Sequence, residues 1–249
     1  MPKQSLRPYD GRTCGVPIKT EDQLDVQAFH RVRDRLISRR TAVINQLRAF
    51  LLERGITSPR GRGALHQNMS TILADVELLF APRMSRLIMN LWHEWQELDQ
   101  QIEQISKEIE GIADQDAACR RLIEVPGVGP LVATALVAAI GNGNAFAKAR
   151  DLSAWLGLVP KQQSTGGKPK LLGISKRGNP YVRKLLIHGA RSLMLHLKRD
   201  RHALGCWLNQ LEPRTHRNVA TIALANKLAR ICWVILARGE TYRAHPAVA

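Results

Sequence analysis

The sequence predicts an all-α fold, in which long antiparallel or coiled-coil helices precede a compact helical domain that contains a helix-hairpin-helix. Two observations carry this prediction. Apolar residues recur at helical spacing over two stretches of about thirty residues, and shorter apolar segments bounded by Gly and Pro follow them. The chain has 249 residues, of which 45% are hydrophobic. It is therefore long and apolar enough for one or two packed cores.

The chain divides into four predicted parts. They are an extended lead-in over 1–18, a long-helix or coiled-coil region over 19–118, a compact domain over 119–202, and a helical extension of that domain over 203–249. The lead-in contains Pro and Gly without periodicity, which is typical of irregular chain rather than of a folded unit.

The first long helix is predicted to begin at Thr20 and to end near Gly55. Thr20 and Gln23 have the spacing of a capping box, and apolar residues then recur every three or four positions. Arginines 31, 35 and 39 share one face. This face either follows a phosphate backbone or is an ordinary solvated helix surface.

A second long helix is predicted from Pro82 to Asp114. Its apolar residues keep alternating spacings of four and three, which is a heptad pattern. They are Leu91, Trp95, Leu98, Ile102, Ile105, Ile109 and Ile112. Such a seam packs either against the first helix of the same chain or against a second copy in a coiled coil, and the pattern allows both.

Charge is distributed unevenly, and this distribution indicates the partner. The chain has 37 Lys and Arg against 21 Asp and Glu, a net charge of +16, and residues 151–249 hold 17 of the basic and only 4 of the acidic side chains. A polyanion, above all nucleic acid, is the expected partner of the C-terminal part.

Cysteine spacing and hydropathy exclude other classes of protein. The four cysteines, at 14, 119, 206 and 232, are far apart and form no C-x-x-C pair, so neither a zinc site nor a disulfide framework is predicted. No apolar run of membrane-spanning length is free of charge, and the first residues lack the apolar segment of a signal peptide. We therefore expect a cytoplasmic protein without a membrane span, and no metal site in this chain.

Residues 121–141 read RLIEVPGVGPLVATALVAAIG and predict a helix-hairpin-helix. A short helix enters a turn that contains Gly127 and Gly129, and a second helix leaves with Pro130 in its first turn. Glycines let backbone N–H groups approach a phosphate, and the helix N-terminus adds a favourable dipole. A plain pair of antiparallel helices, in which the glycines only permit the turn, has the same pattern.

The next segment combines hydroxyl groups, glycines and lysines without any acid. Between Lys161 and Lys184 there is no Asp or Glu, and Ser164 is followed by Thr165, two glycines and Lys168. Backbone amides and ammonium groups in such a loop can receive the charge of a phosphodiester. The basic side chains expected to hold nucleic acid are Lys161, Lys168, Lys170, Lys176, Arg177 and Arg183. Ser164 taken alone is more often an ordinary turn residue.

Four consecutive segments resemble the bacterial insertion-sequence transposases of the bridge-RNA-guided kind. They are IEVPGVGPLVATALVAAIG, ARDLSAWLGLVPKQQSTGGK, GISKRGNPYVRKLLIHGAR and IALANKLARICWVIL. The resemblance implies a DNA transposase, with 119–202 as its transposase domain and Ser164 as a nucleophile that becomes linked to DNA. It also implies a structured guide RNA and assembly into oligomers, for which the heptad seam offers a surface. Thr165 is an alternative to Ser164.

The resemblance also implies an N-terminal RNase-H-like domain with a set of four carboxylates that bind Mg²⁺. Only 18 residues precede Lys19, and Asp10, Asp22, Asp25 and Asp34 do not reproduce that set. We therefore expect an N-terminally truncated form that takes no cofactor by itself, with Mg²⁺ bound only where the carboxylate domain is present. The alternative function is a non-catalytic nucleic-acid-binding remnant that co-assembles with the full-length transposase.

Overall fold

A computed structural model describes residues 18–58, 60–166 and 168–243, without the side chains of Thr165 and Arg201. Almost all of the predicted lead-in, with Asp10 and Cys14, lies outside these residues. The described chain is mostly helical, which confirms the predicted fold class. Its helices are α1 (Glu21–Leu52), α2 (Arg62–Gln67), α3 (Met69–Leu79), α4 (Pro82–Gln115), α5 (Ala117–Ile123), α6 (Pro130–Ile140), α7 (Ala149–Trp155), α8 (Pro180–His196), α9 (Ala203–Leu211) and α10 (Arg217–Arg238). Strands β1 (Pro160–Thr165) and β2 (Lys168–Ile174) form one antiparallel pair.

The two long helices begin and end close to their predicted limits. The capping box of α1 is present, because the Thr20 amide donates to Gln23 Oε1 over 3.1 Å and the Gln23 amide donates to Thr20 Oγ1 over 3.2 Å. These two reciprocal bonds satisfy backbone donors that the first turn of a helix otherwise leaves free.

Residues 28–111 form one compact unit, in which most of α1 and α4 run antiparallel. Arg33 donates to Ser106 Oγ over 2.8 Å, and further along α1 Arg40 pairs with Asp99 over 2.7 Å. The core between these helices and α3 includes Leu47, Leu51, Met69, Ile88, Trp95, Leu98 and Ile102. Four residues of the predicted heptad seam are therefore buried within the same chain, as the intramolecular alternative requires: Trp95, Leu98, Ile102 and Ile109.

Asp99 is the polar centre of this unit. One of its carboxylate oxygens accepts from Arg40 and Arg62, and the other accepts from the Trp95 indole over 2.7 Å. The Trp95 ring packs edge-on against Trp92 and His66. The carboxylate thus joins α1, α2 and α4 at the edge of their apolar core.

The second compact unit consists of residues up to Gln27 and residues from Ile112 onward. Its core is formed mainly by α6, α8 and α10, with Leu136, Leu186, Ala190, Leu224 and Leu228 almost fully buried. The described start of α1 belongs to this unit, because the side-chain amides of Gln23 and Gln27 donate to the carbonyls of Val137 and Ala138.

Helix α10 is apolar enough and long enough to cross a membrane by length and composition alone. Half of its most apolar window is buried in the core, however, as expected of the central helix of a packed unit. Cys232 on this helix is also buried, and burial raises the pKa of its thiol to about 12. The three described cysteines form no disulfide.

Candidate nucleic-acid interface

Strands β1 and β2 form a tight hairpin that carries the predicted serine. Thr165 pairs with Lys168 in the ladder, so a tight turn joins the two strands. Gly166 has a φ of 57°, a left-handed conformation that two-residue hairpin loops require and that glycine adopts at little cost.

Both faces of this hairpin are exposed. Every residue from Pro160 to Gly173 whose exposure is described lies open to solvent, including Leu171 and Leu172. A sheet that packs on a core buries one face, and this hairpin buries neither. It is therefore accessible from both sides, as a two-stranded ribbon must be to enter a groove of nucleic acid.

Ser164 lies on β1 near the tip of the hairpin. Its hydroxyl is exposed and accepts a hydrogen bond of 3.2 Å from the side-chain amide of Gln162. Side chains alternate between the two faces of a strand, and directly paired residues share a face. Ser164 therefore lies on the face of Gln162 and Leu171.

The same alternation places Lys168 and Lys170 on the opposite face from Ser164. The sequence predicts that ammonium groups of this loop lie around the hydroxyl. These two ammonium groups do not, because they lie on the other face of the hairpin. Consecutive residues of a strand point to opposite faces of the sheet, and the turn fixes which residues of the two strands pair. The hairpin thus offers a hydroxyl on one face and two cations on the other.

The base of the hairpin is fixed by two glycines in close backbone contact. A Cβ atom on Gly178 would lie 1.6 Å from the Trp155 carbonyl oxygen, and one on Gly157 would lie 2.3 Å from the Arg177 carbonyl oxygen. Both glycines have positive φ, of 72° and 68°. The loop after β2 therefore sits directly on the end of α7, at a distance that no side chain allows.

Lys176 and Arg177 are exposed on this loop, close to the base of the hairpin. Lys176 has a φ of 55°, which is unusual for a residue other than glycine, and its amide donates to the Gly157 carbonyl over 3.2 Å. Both basic side chains are available to an external anion.

Arg183 has a different environment from the other predicted basic residues. Its guanidinium donates to the carbonyls of Leu156 and Arg177, each over 2.8 Å. The side chain therefore holds the loop against α7 from the first turn of α8. The sequence predicts Arg183 to be a nucleic-acid-binding cation, because spacing alone does not distinguish an arginine that braces a loop from a free one.

The turn between α5 and α6 lies elsewhere on the same unit. Gly127 has a φ of 83°, and a Cβ there would lie 2.9 Å from the carbonyl oxygen of Gly189, in the middle of α8. Gly189 is nine residues along α8 from Pro180, or about 14 Å along the helix axis. Gly127 is thus required for close helix packing, a role that the sequence pattern did not reveal.

Gly129 differs from Gly127. It is the N-cap residue of α6, and a Cβ placed on it would meet no heavy atom within 4 Å. The space beside its Cα is therefore open, whereas α8 occupies the space beside the Cα of Gly127.

Comparisons with known proteins identify the family. The family model described as "Transposase IS116/IS110/IS902 family" matches residues 119–204. The protein "Probable family 20 transposase" of Pseudomonas aeruginosa is 42% identical over 229 residues, which are 92% of this chain and 68% of that protein. The chain belongs to the IS116/IS110/IS902 transposase family.

Two further transposases show a similar extent of similarity. "Transposase for insertion sequence element IS1111A" of Coxiella burnetii is 44% identical over 90% of this chain and 62% of its own length. "Transposase for insertion sequence element IS1328" of Yersinia enterocolitica is 42% identical over 90% of this chain and 66% of its own length. The chain therefore spans about two thirds of the length of these relatives.

The matched part of this transposase-family chain contains the hairpin, its base and the turn of Gly127 and Gly129. The region is free of acid over a long distance, because residues 152–199 hold ten Lys and Arg and no Asp or Glu. Among the described residues, no carboxylate pairs with Lys161, Lys168, Lys170, Lys176 or Arg177. The arrangement suits an external polyanion.

The carboxylates of α1 do not fit a catalytic metal site. Asp22 and Asp25 are exposed on its first turns, and Asp34 lies nine residues further along, about 14 Å from Asp25. Over the described ranges there is no group of three or more His, Cys, Asp or Glu that could hold a metal ion.

Proposed function

We propose that this chain acts in DNA transposition and that Ser164 is its nucleophile. Membership of a transposase family supports the general activity. The assignment of Ser164 as the nucleophile is supported by its place in the hairpin. Its hydroxyl is exposed near the tip, and the surrounding stretch of sequence contains no acid. A phosphodiester can therefore reach it without meeting a negative side chain.

In the proposed step, Ser164 Oγ attacks the phosphorus of a DNA phosphodiester. An Oγ–P bond forms while the bond from phosphorus to one deoxyribose oxygen breaks, so the strand is cut and remains linked to the protein. The serine proton passes to water, and the leaving oxygen takes up a proton from water. Attack by the freed hydroxyl of another strand reverses these bonds and completes strand exchange.

Different parts of the interface hold the DNA in this proposal. Lys168 and Lys170 contact the backbone from the face opposite Ser164, and Lys161, Lys176 and Arg177 contact it from the base of the hairpin. Such contacts position the strand without reading its sequence. Of the two turn glycines, Gly129 is the one open to a phosphate.

The other partners of the proposed reaction follow from the resemblance. A structured guide RNA is proposed as a second polyanion, for which the same exposed cations are available. Self-association is proposed through a surface other than the Trp95, Leu98 and Ile102 part of the seam, because those side chains are already buried within the chain.

Trapping of a covalent intermediate tests the nucleophile. The full chain is mixed with labelled donor and target DNA, guide RNA, Mg²⁺ and a separate chain that supplies the carboxylate domain, and protein–DNA adducts are separated under denaturing conditions. We expect an adduct with the parent chain and with Thr165→Ala, and none with Ser164→Ala. An equal adduct from Ser164→Ala would refute the assignment.

The same experiment separates catalysis from binding alone. If the chain binds DNA in a salt-dependent manner but forms no adduct under any of these conditions, the function is that of a non-catalytic nucleic-acid-binding protein. Affinity that stays constant from low to high salt would contradict both functions, because phosphate contacts release counterions.

A further inference from the structure

A large cleft lies beside the second half of α10, within the unit that begins at Ile112. Its volume is about 1160 Å³. Trp207 of α9, Lys227 and Arg230 of α10, and residues 239–243, which follow α10, line it. This volume is at the upper end of the range of small-molecule pockets, so a ligand longer than a single small metabolite fits.

The charges around this cleft are mostly positive. Lys227, Arg230 and Arg243 line it, whereas Glu240 is its one acidic residue among the described lining residues. Glu240 lies 3.7 Å from the guanidinium of Arg238, which offsets its charge. The cleft therefore has an excess of positive charge that attracts anions.

Lys227 is the best-defined cation of the cleft. It is half-buried, and its ammonium nitrogen lies 4.4 Å from the centroid of the Trp207 ring. Among the described residues, no carboxylate pairs with it. Burial, and then the neighbouring Arg230, lower the pKa of Lys227, as expected of an ammonium group that lacks an anionic partner.

Aromatic side chains complete the lining. Trp207 is partly exposed, and Tyr242 lies on the segment that follows α10. The Tyr242 hydroxyl is 3.1 Å from His202 Nε2, and their rings are stacked with centroids 6.1 Å apart. This contact fixes Tyr242 at the cleft.

We propose that this cleft binds a single strand of nucleic acid, with its phosphates on Lys227, Arg230 and Arg243 and its bases near Trp207 and Tyr242. Cationic grooves that contain aromatic side chains are the usual sites for single strands, since the backbone and the faces of the bases are both accessible there. In a duplex the bases are stacked inside, so their faces would not reach these rings. This site is separate from the proposed serine chemistry and does not depend on it.

Fluorescence anisotropy with labelled oligonucleotides tests the proposal. Single-stranded DNA and RNA of one sequence, about 12 nucleotides long, are compared with the corresponding duplex, and inorganic tripolyphosphate is used as a competitor. We expect the double variant Lys227→Gln/Arg230→Gln to bind single strands about tenfold more weakly than the parent chain. The slope of log affinity against log salt should fall by about 1.4, since two phosphate contacts are lost.

Arg214→Gln/Arg217→Gln is the matched control, because it removes two exposed positive charges of the same unit outside the cleft. We expect this control to change single-strand affinity by less than about twofold. Lys227→Arg/Arg230→Lys keeps both charges and should retain binding. Arg243→Gln, beyond the end of α10, weakens binding without altering the helix and serves if the first variant does not fold.

Three results would overturn the proposal. The first is that Lys227→Gln/Arg230→Gln and Arg243→Gln bind single strands as tightly as the parent chain. The second is that the control variant loses as much single-strand affinity as Lys227→Gln/Arg230→Gln. The third is that Lys227→Gln/Arg230→Gln loses as much affinity for the duplex as for single strands. If tripolyphosphate competes so strongly that no preference for oligonucleotides remains, the cleft binds phosphate groups alone. None of these results affects the adduct test of Ser164, so the two proposals fail separately.

Discussion

Two regions of this chain use positive charge in opposite ways. The compact unit of residues 28–111 has twelve Lys and Arg and ten Asp and Glu, and its arginines join helices, as Arg39 does with Glu94 and Arg40 with Asp99. Residues 152–199 have ten Lys and Arg and no acid. The first region pairs several of its cations internally, whereas the second presents most of them to solvent.

The two regions are consequently stabilised by different contacts. Ion pairs and a shared apolar core join the helices of the 28–111 unit. The hairpin of β1 and β2 has no core of its own and depends on backbone packing at Gly157 and Gly178 and on the two hydrogen bonds of Arg183. An acid-free surface is therefore positioned by backbone and glycine geometry rather than by ion pairs.

The largest effect on stability is expected for Gly178→Ala. A Cβ atom would meet the Trp155 carbonyl oxygen at 1.6 Å, and the φ of 72° disfavours any L side chain. We expect a loss of about 4 kcal/mol in the free energy of unfolding, from backbone strain and overpacking together. Urea unfolding followed by circular dichroism measures it.

Gly173→Ala is the control for Gly178→Ala. Gly173 lies on β2 with no heavy atom within 4 Å of the added Cβ, and its φ is not positive. We expect its stability to stay within about 0.5 kcal/mol of the parent chain. A Gly178→Ala variant as stable as the Gly173→Ala variant would show that the hairpin base is not held by this contact.

The next largest effect is the pH dependence of the 28–111 unit, through His30. Burial, and then the charge of Arg33, lower the pKa of His30 from 6.5 to about 4. The unfolded chain therefore takes up a proton at a higher pH than the folded chain does. The free energy of unfolding therefore decreases by about 3 kcal/mol as the pH falls from 6.5 toward 4.

Urea unfolding at several pH values between 4 and 7 measures this loss. His30→Leu removes the titrating group and should flatten the part of the curve that His30 causes, whereas the exposed His93→Leu should not. If the curves of the parent chain and of His30→Leu run parallel over this range, His30 does not titrate as stated.

The sequence predicted the helices better than it predicted the roles of single residues. The limits of α1 and α4 followed from the capping box at Thr20 and from apolar spacing, because these are local signals. The partner of the heptad seam did not follow, because one apolar stripe fits a helix of the same chain as well as a second copy.

The candidate site shows the same limit. The separation of Ser164 from Lys168 and Lys170 depends on the strand register, which spacing does not give. The packing of Gly127 on Gly189 joins positions 62 residues apart, and no local pattern contains such a contact. The cleft beside α10 likewise combines two helices and the segment after them.

A smaller effect is expected for Asp99→Asn, which weakens the polar centre of the 28–111 unit. Arg40 and Arg62 would lose their common anion, and the Trp95 indole would lose a charged acceptor. We expect a loss of about 2 kcal/mol in the free energy of unfolding, because these groups are partly buried. Glu103→Gln, which removes an exposed pair with Lys107, should leave stability almost unchanged.

The smallest effect on stability is expected for Lys168→Gln/Lys170→Gln. Both side chains are exposed and without a carboxylate partner in the described chain, so stability should stay within about 0.5 kcal/mol of the parent. DNA affinity, in contrast, should fall, and the slope of its log against log salt should decrease by about 1.8 for duplex DNA, because two phosphate contacts are lost. Arg39→Gln/Arg40→Gln is the matched control: it also removes two charges, yet it should lower stability and leave the salt slope nearly unchanged, since these arginines already pair with Glu94 and Asp99. If the two variants gave the same change in salt slope, the cations of the two regions would not differ in function.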